Sequence, residues 1–213
     1  MSLTQAHHAF AAVSQEGLNE ALAAFFSARP HYLHYGSPPF VVASSVTTTL
    51  IDPIPFPNTP GGISWAVDFS VPTVDLFPAD GALPPPLTLF AGQLALATTV
   101  DLTIGCRLSE DPKGRVVPLR TALPVVAVGH PVSRFFSPGV GDISFTVDAV
   151  SAQGVAPGSL EALLECLVRM MLNAFLEDVR LPFDLIDAGF FKLALEEGPL
   201  VADDQITLRG DVS

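Results

Sequence analysis

The sequence predicts a mixed α+β fold in which a long, strongly bent antiparallel sheet wraps around two long helices, one N-terminal and one C-terminal. Three observations lead to this fold class. Apolar residues recur at helical spacing near the N-terminus, alternate with polar residues through the middle of the chain, and return to helical spacing near residue 160. The 213 residues show no convincing domain boundary. We therefore expect a single domain spanning residues 1–213.

The first predicted element is a helix from about Thr4 to Ala28. Its apolar residues recur at three- and four-residue steps and form one face. A helix cannot continue through proline, so Pro30 ends it. The residues of the apolar face are Phe10, Val13, Leu18, Leu22, Phe25 and Phe26.

The middle of the chain alternates with a period of two, as in half-buried strands. Pro118 and Pro124 interrupt one of these segments and indicate an edge position or a bulge there. The charged run Ser109–Arg115 is typical of a hairpin turn. The predicted strands are Phe40–Ile51, Ile63–Val71, Leu94–Cys106, Val116–Val128 and Ile143–Ala149.

A second helix is predicted from Ser159, the expected N-cap, to the residues just before Pro182. Its apolar stripe covers nearly half the circumference, which is wider than a surface helix usually needs. The chain is then expected to finish as a hairpin, with Phe190–Glu196 and Leu200–Val212 joined by a turn at Glu197-Gly198-Pro199.

Composition indicates an apolar partner. Hydrophobic residues make up 49% of the chain and charged residues only 15%. The mean hydropathy is +0.45. Part of this apolar surplus should meet something other than the protein's own core: a ligand, a second chain or a membrane.

The net charge of -12 argues against nucleic acid, which needs a cationic surface, and disfavours anionic bilayers. We expect no integral membrane segment, because Pro, Gly, Ser and Thr break the long uncharged stretches. The N-terminus lacks the pattern of a signal peptide, so we expect a cytoplasmic protein, with secretion by a leaderless route left open. Cys106 and Cys166 form no disulfide framework and are expected to be buried free thiols.

No residue pattern predicts catalysis, a metal or a cofactor. His7-His8 point about 100° apart on a helix, and His31 and His34 have no partner of known ligand spacing. Cys106 and Cys166 lack a neighbouring histidine that would activate a thiol, and no nucleophile elbow or phosphate-binding loop occurs. We therefore expect a protein that is not an enzyme.

Aromatic usage favours apolar contact. The chain has 15 Phe, one Trp and two Tyr, and phenylalanine has no polar group to satisfy. Met170, Met171 and Phe175 lie on the second helix and tolerate partners of varied shape. Two interpretations stay open here: a well-filled core, or a groove for an acyl chain.

Two stretches resemble the tubular lipid-binding (TULIP) superfamily, which includes bactericidal/permeability-increasing protein, insect takeout-like proteins and bacterial OrfX-type proteins. The run Val13–Ala21 (VSQEGLNEA) is similar to the opening helix of that superfamily. The run Phe190–Val212 (FFKLALEEGPLVADDQITLRGDV) is similar to its closing hairpin. The order of predicted elements also agrees.

The resemblance implies a half-pipe of sheet around a long helix, with a lipid or fatty-acid-like molecule in an apolar groove between them. The alternative is a non-catalytic interaction or assembly protein with a filled core, which oligomerises or binds a protein partner through an exposed apolar strip such as Phe135-Phe136 or the Pro-rich loops. The liners that the half-pipe implies, taken from inward-facing positions, are Leu94, Leu96, Phe145, Leu164, Leu167, Val168, Met171 and Phe175.

Overall fold

A computed structural model describes residues 9–41, 47–55, 57, 61–78, 82–107, 116–137, 140–154, 158–184, 193–202 and 204–212. Within these residues most of the ordered structure is strand, accompanied by two helices and a 3₁₀ turn at Pro30–Tyr32. The mixed α+β class is therefore confirmed. The helices are α1 (Gln15–Ala28) and α2 (Ser159–Leu176). The strands are β1 (Ala9–Ser14), β2 (His34–Gly36), β3 (Thr49–Leu50), β4 (Ile63–Phe69), β5 (Thr73–Asp75), β6 (Leu94–Arg107), β7 (Val116–Ser137), β8 (Val140–Ala152), β9 (Leu181–Asp184), β10 (Leu193–Ala202) and β11 (Gln205–Val212).

The main sheet has the strand order β3-β2-β4-β6-β7-β8-β9 and is strongly curled, as predicted. Strand β5 pairs with the first part of β6, and β4 pairs with the rest of β6. All described pairs in this sheet are antiparallel except β2 with β3, which are parallel. The sheet is therefore bent and nearly, but not wholly, antiparallel.

Strand β7 is central in the sheet, but among the described residues β8 pairs with only part of its length. Strand β8 pairs with β7 from Val125 onward, so Pro118 lies in a stretch where the described pairing is with β6. Pro124 lies at the end of the β7–β8 ladder, where its carbonyl accepts the Gln153 N–H at 2.9 Å. A proline at the end of a ladder costs little strand pairing.

The predicted start of the first helix is wrong. Ala9–Ser14 forms β1, which pairs with β11 in register from Ala9↔Gly210 to Ser14↔Gln205. Helix α1 begins at Gln15, where the Ser14 hydroxyl oxygen accepts a hydrogen bond from the Gly17 N–H at 3.1 Å. At 14 residues it is much shorter than predicted, so a pair of long helices is not confirmed.

Three further predictions change. Helix α2 begins at Ser159 with Gly158 as the N-cap, and the Glu161 carboxylate accepts the Gly158 N–H at 3.3 Å. Strand β10 continues through Gly198-Pro199 as an irregular pairing, so the closing turn lies near Asp204, which has a φ of 59°. In the segment Phe40–Ile51 the only described strand is β3. The predicted turn Ser109–Arg115 lies outside the described residues.

Each helix is fastened along a strand edge of the main sheet. On α1, Asn19 exchanges two hydrogen bonds with the backbone of Val74 in β5, and the Gln15 side-chain oxygen accepts the Leu76 N–H at 2.8 Å. The four-residue step from Gln15 to Asn19 advances about 6 Å along the helix axis. The two-residue step from Val74 to Leu76 advances about 6.7 Å along the strand. The spacing of the two helix side chains therefore matches the spacing of the backbone groups that they bind. Helix α1 thus takes the place of a neighbouring strand.

Helix α2 repeats this arrangement on the opposite edge. The Asn173 side-chain oxygen accepts the Val147 N–H at 2.7 Å, and the Asn173 amide donates to the Val147 carbonyl at 3.2 Å. The Glu165 carboxylate accepts the Ala152 N–H at 3.2 Å. Both helices therefore run antiparallel to the strand edges that they seal. The core lies between them and the curled sheet.

Candidate ligand-binding face

Seven of the eight predicted groove residues belong to the core between α2 and the sheet or pack against it. Leu94, Leu96, Phe145, Val168 and Phe175 are buried in one core cluster. Leu164 and Met171 are half-buried and pack against this cluster. Leu167 is half-buried. That these side chains line a ligand groove stays a prediction, because here they contact other side chains of the protein.

A small apolar cavity lies beside this core. It has a volume of about 30 Å³ and is bordered by β1, β11, α1 and β8. About one water molecule would fill such a volume. Its lining residues are Ala11, Ala12, Val13, Leu18, Ile143, Ile206 and Leu208.

Four aromatic rings pack against one another near the C-terminal ends of α1 and α2. The Phe26 and Phe175 rings meet edge to face with 5.3 Å between centroids, and they join the two helices. The Phe69 ring of β4 packs against Phe175 at 5.6 Å and against Tyr35 of β2 at 6.4 Å. We call Phe26, Phe69 and Phe175 the aromatic wall.

Beyond this wall the inner face of the sheet continues, and its side chains become exposed in the part of the chain that the structure describes. Residues paired across antiparallel strands share a face. The row Phe69↔Val100↔Leu123 is buried. Two rows farther, Trp65↔Ile104↔Leu119 lies on the same face, and there Leu119 is 70% exposed and Ile104 36% exposed. We call Trp65, Leu102, Ile104, Leu119 and Thr121 the open face.

The open face is almost wholly apolar. Trp65 is half-buried, and its indole N–H donates to the Asp52 carbonyl at 3.2 Å, which leaves the ring as an apolar surface. Ile54, 51% exposed, pairs with Ile63 and extends the same face beside Trp65. The hydroxyl of Thr121 is the polar group of the face. Such a surface offers contact area and very little hydrogen bonding.

A larger cavity lies along the same strands, mostly on their other face, and is lined by both polar and apolar residues. It has a volume of about 530 Å³, and its lining includes Asp68, Asp101 and Arg120. Asp68 and Asp101 lie directly opposite each other across β4 and β6. The His34 Nδ1 atom lies 2.8 Å from the Asp68 carboxylate. Leu102 and Thr121 of the open face also line this cavity, so the two surfaces adjoin.

Helix α2 also has an apolar outer side. Leu163 is 56% exposed and Met170 54% exposed. Cys166, expected to be buried, is instead exposed between them. The core-facing positions of α2 are taken by Val168, Leu172 and their neighbours, which turns Cys166 outward. Leu163, Cys166 and Met170 form the α2 stripe.

A hydrogen bond ties the end of α1 to the end of α2. The Tyr32 hydroxyl donates to the Asp178 carboxylate at 2.8 Å. This bond raises the pKa of Tyr32 above its ordinary value of 10.0, because the carboxylate favours the protonated phenol. Burial raises the pKa of Tyr35 in the same direction.

The structure describes no metal centre: among the residues that it covers, no three His, Cys, Asp or Glu side chains are grouped to hold an ion. His7 and His8 lie outside the described residues, as do the side chains of Cys106 and of Phe135-Phe136. The described helices include none with the length and apolarity needed to cross a bilayer.

The sequence matches no protein-family description and no curated protein. Among solved structures, the chain is similar to one described as "Crystal structure of lipopolysaccharide binding protein", with a TM-score of 0.36 and 12% sequence identity. The alignment covers 100% of this chain and 42% of that chain. This chain therefore spans less than half the length of that protein. At this TM-score the likeness establishes neither a shared topology nor a shared function.

Proposed function

We propose that this protein binds a lipid-like molecule with a single apolar chain and holds it on the open face without catalysing a reaction. The observation that carries the proposal is the continuity of the open face with the core. The same inner face that is buried at Val100 and Leu123 becomes exposed at Ile104 and Leu119 without turning polar.

The proposed site differs from the groove implied by the family resemblance. That groove would lie between α2 and the sheet, where Phe145, Val168 and Phe175 already fill the interior. The open face lies farther along the same sheet. A TULIP-like, single-domain carrier agrees with this arrangement, and we include that membership in the proposal.

The energy of binding would come from removing apolar surface from water. Each buried methylene contributes about 0.8 kcal/mol. The open face presents only Thr121 as a hydrogen-bonding group, so polar ligands would lose bonds to water there without replacement. We therefore assign the ligand's polar end to solvent and its alkyl chain to the protein.

The test compares two matched substitutions, Leu119→Asp on the open face and Leu163→Asp on the α2 stripe. Both residues are exposed leucines, so neither change should unfold the protein. Binding of 1-dodecanol is measured by calorimetry, and organic extracts of each purified protein are analysed by mass spectrometry. We expect Leu119→Asp to bind at least tenfold more weakly and to carry less co-purified lipid, while Leu163→Asp behaves as wild type. Equal binding by all three proteins would remove the open face as the site.

The second candidate is a non-catalytic assembly protein. The α2 stripe favours it, because exposed Leu163 and Met170 lie one above the other on a helix whose other side is packed into the core. A stripe of this kind can meet the same stripe of a second copy. Light scattering after size-exclusion chromatography distinguishes the candidates. An oligomer that Leu163→Asp dissociates, and Leu119→Asp does not, would support assembly.

A further inference from the structure

We propose that the aromatic wall limits the length of the alkyl chain that the protein accepts, with Phe69 as the residue that stops the chain. This inference rests on the proposed function and assigns the ligand class more narrowly, as molecules with one alkyl chain of limited length. The occupant is taken to be an alkyl chain and not a protein, because the five side chains of the open face present far less than the roughly 800 Å² per partner of a stable protein interface.

The geometry supplies the inner end of the site. On β4, Phe69 is buried, and its ring contacts Phe175 and Tyr35. The next row on the same face begins with Val67 and Leu102 and leads onto the open face. An alkyl chain that lies along β6 therefore meets the Phe69 ring at its inner end.

The length that we assign to the site is that of the described open face. From Val100, which pairs with Phe69, to Ile104, strand β6 advances about 13 Å. Methylenes within this length lie against Leu102 and Ile104. Ile104 and Leu119 are the outermost side chains that the structure describes on this face of β6 and β7.

The aromatic wall separates the open face from the core, which side chains already fill. Behind Phe69 lie Phe175 and Phe26, whose rings contact each other between the two helices. Removing the Phe69 ring would leave a void continuous with the open face. A longer chain could then enter the void and bury methylenes that the wild-type protein leaves in water.

The experiment measures the affinity for saturated primary alcohols from hexanol to hexadecanol by calorimetry. Wild-type affinity should rise about fourfold per added methylene and then stay constant once the chain fills the open face. In Phe69→Ala the rise should continue to longer alcohols, which then bind at least tenfold more tightly than to wild type. Phe69→Leu leaves a smaller void and should shift the limit less, and it serves if the alanine variant does not fold. Phe90→Ala, at an exposed ring outside the wall, is the matched control.

The outcomes separate the inference from the proposed function. No binding of any alcohol to wild type would overturn the proposed function and the chain-length limit together. Binding with the same limit in wild type and in both Phe69 variants would overturn the limit alone. Affinity that rises through hexadecanol in wild type would also overturn it, since no wall would then be met.

Discussion

The side-chain amide of Asn19 pairs with the backbone of Val74 as a neighbouring strand would, accepting its N–H at 2.7 Å and donating to its carbonyl at 3.0 Å. Asn173 forms the same pair of bonds with Val147 on the other edge of the sheet. Two asparagines on different helices thus satisfy the strand edges β5 and β8. An unpaired edge would invite another chain to pair with it.

Replacing either asparagine should destabilise the protein. Asn19→Ala and Asn173→Ala each leave a part-buried backbone N–H and carbonyl without their partner, which costs about 1–3 kcal/mol per site. Urea denaturation measures the loss. Glu20→Ala, an exposed neighbour on α1, should change the free energy of unfolding by less than about 0.5 kcal/mol. If the asparagine variants are as stable as this control, the asparagine side chains do not stabilise the two strand edges.

Alkaline pH should loosen the contact between the ends of α1 and α2. The folded pKa of Tyr32 lies above the unfolded value of 10.0, because its phenol donates to Asp178. The stability that this bond contributes is therefore complete below about pH 10 and is lost as pH rises through the folded pKa. Tyr32→Phe should lower the free energy of unfolding at neutral pH and remove part of this alkaline loss.

Tyrosinate absorbance provides the direct check, since the chain has only two tyrosines. Both should ionise above pH 10 in the folded protein, Tyr35 because of its burial. Tyr32→Phe leaves a single transition that belongs to Tyr35. Ionisation of either residue at the ordinary value for free tyrosine would contradict the packing of these rings.

Two glycines should respond to alanine in opposite directions. Gly129 lies at a shift in the β7–β8 register, and a Cβ there would collide with the Thr146 carbonyl oxygen. Gly129→Ala should cost about 1–3 kcal/mol. On α1, a Cβ at Gly17 would lie 3.4 Å from the Ser14 hydroxyl oxygen, an ordinary contact, so Gly17→Ala should add about 0.5–1 kcal/mol. Thermal unfolding of both variants tests the pair.

Substitutions in the aromatic wall and in the open face should have different effects on the free energy of unfolding. Phe175 is fully buried, so Phe175→Ala should lower the free energy of unfolding by about 3–5 kcal/mol. Leu119→Ala should change it by less than about 0.5 kcal/mol, because this side chain is mostly exposed. A large loss at Leu119 in urea denaturation would show that it belongs to the core.

The sequence predicted elements whose patterns are local. The alternation of Leu94–Cys106 identified β6 almost residue for residue, and the stripe of α2 located that helix. Helical spacing of its apolar residues predicts a helix for Ala9–Ser14, which forms β1 instead. Its strand conformation depends on pairing with β11, nearly two hundred residues away, which no local pattern reveals.

The candidate site was only partly accessible from sequence. Alternation placed Leu102 and Ile104 on the inner face of β6, but it could not show where the helices stop covering that face. That limit follows from where α1 and α2 are fastened, by Asn19 and Asn173, and neither asparagine belongs to a recognisable motif. Ser14 had a detectable signal, since serine before a helical pattern is typical of an N-cap.

The central claim is that the open face holds an alkyl chain, and Trp65 reports on it directly because it is the only tryptophan. Its emission should be followed during titration with a terminally brominated dodecanol, since bromine quenches an indole ring that it touches. We predict saturable quenching in wild type and in Leu163→Asp, and at least tenfold weaker quenching in Leu119→Asp. Absence of saturable quenching in wild type, or the same quenching in Leu119→Asp, would contradict the proposed site.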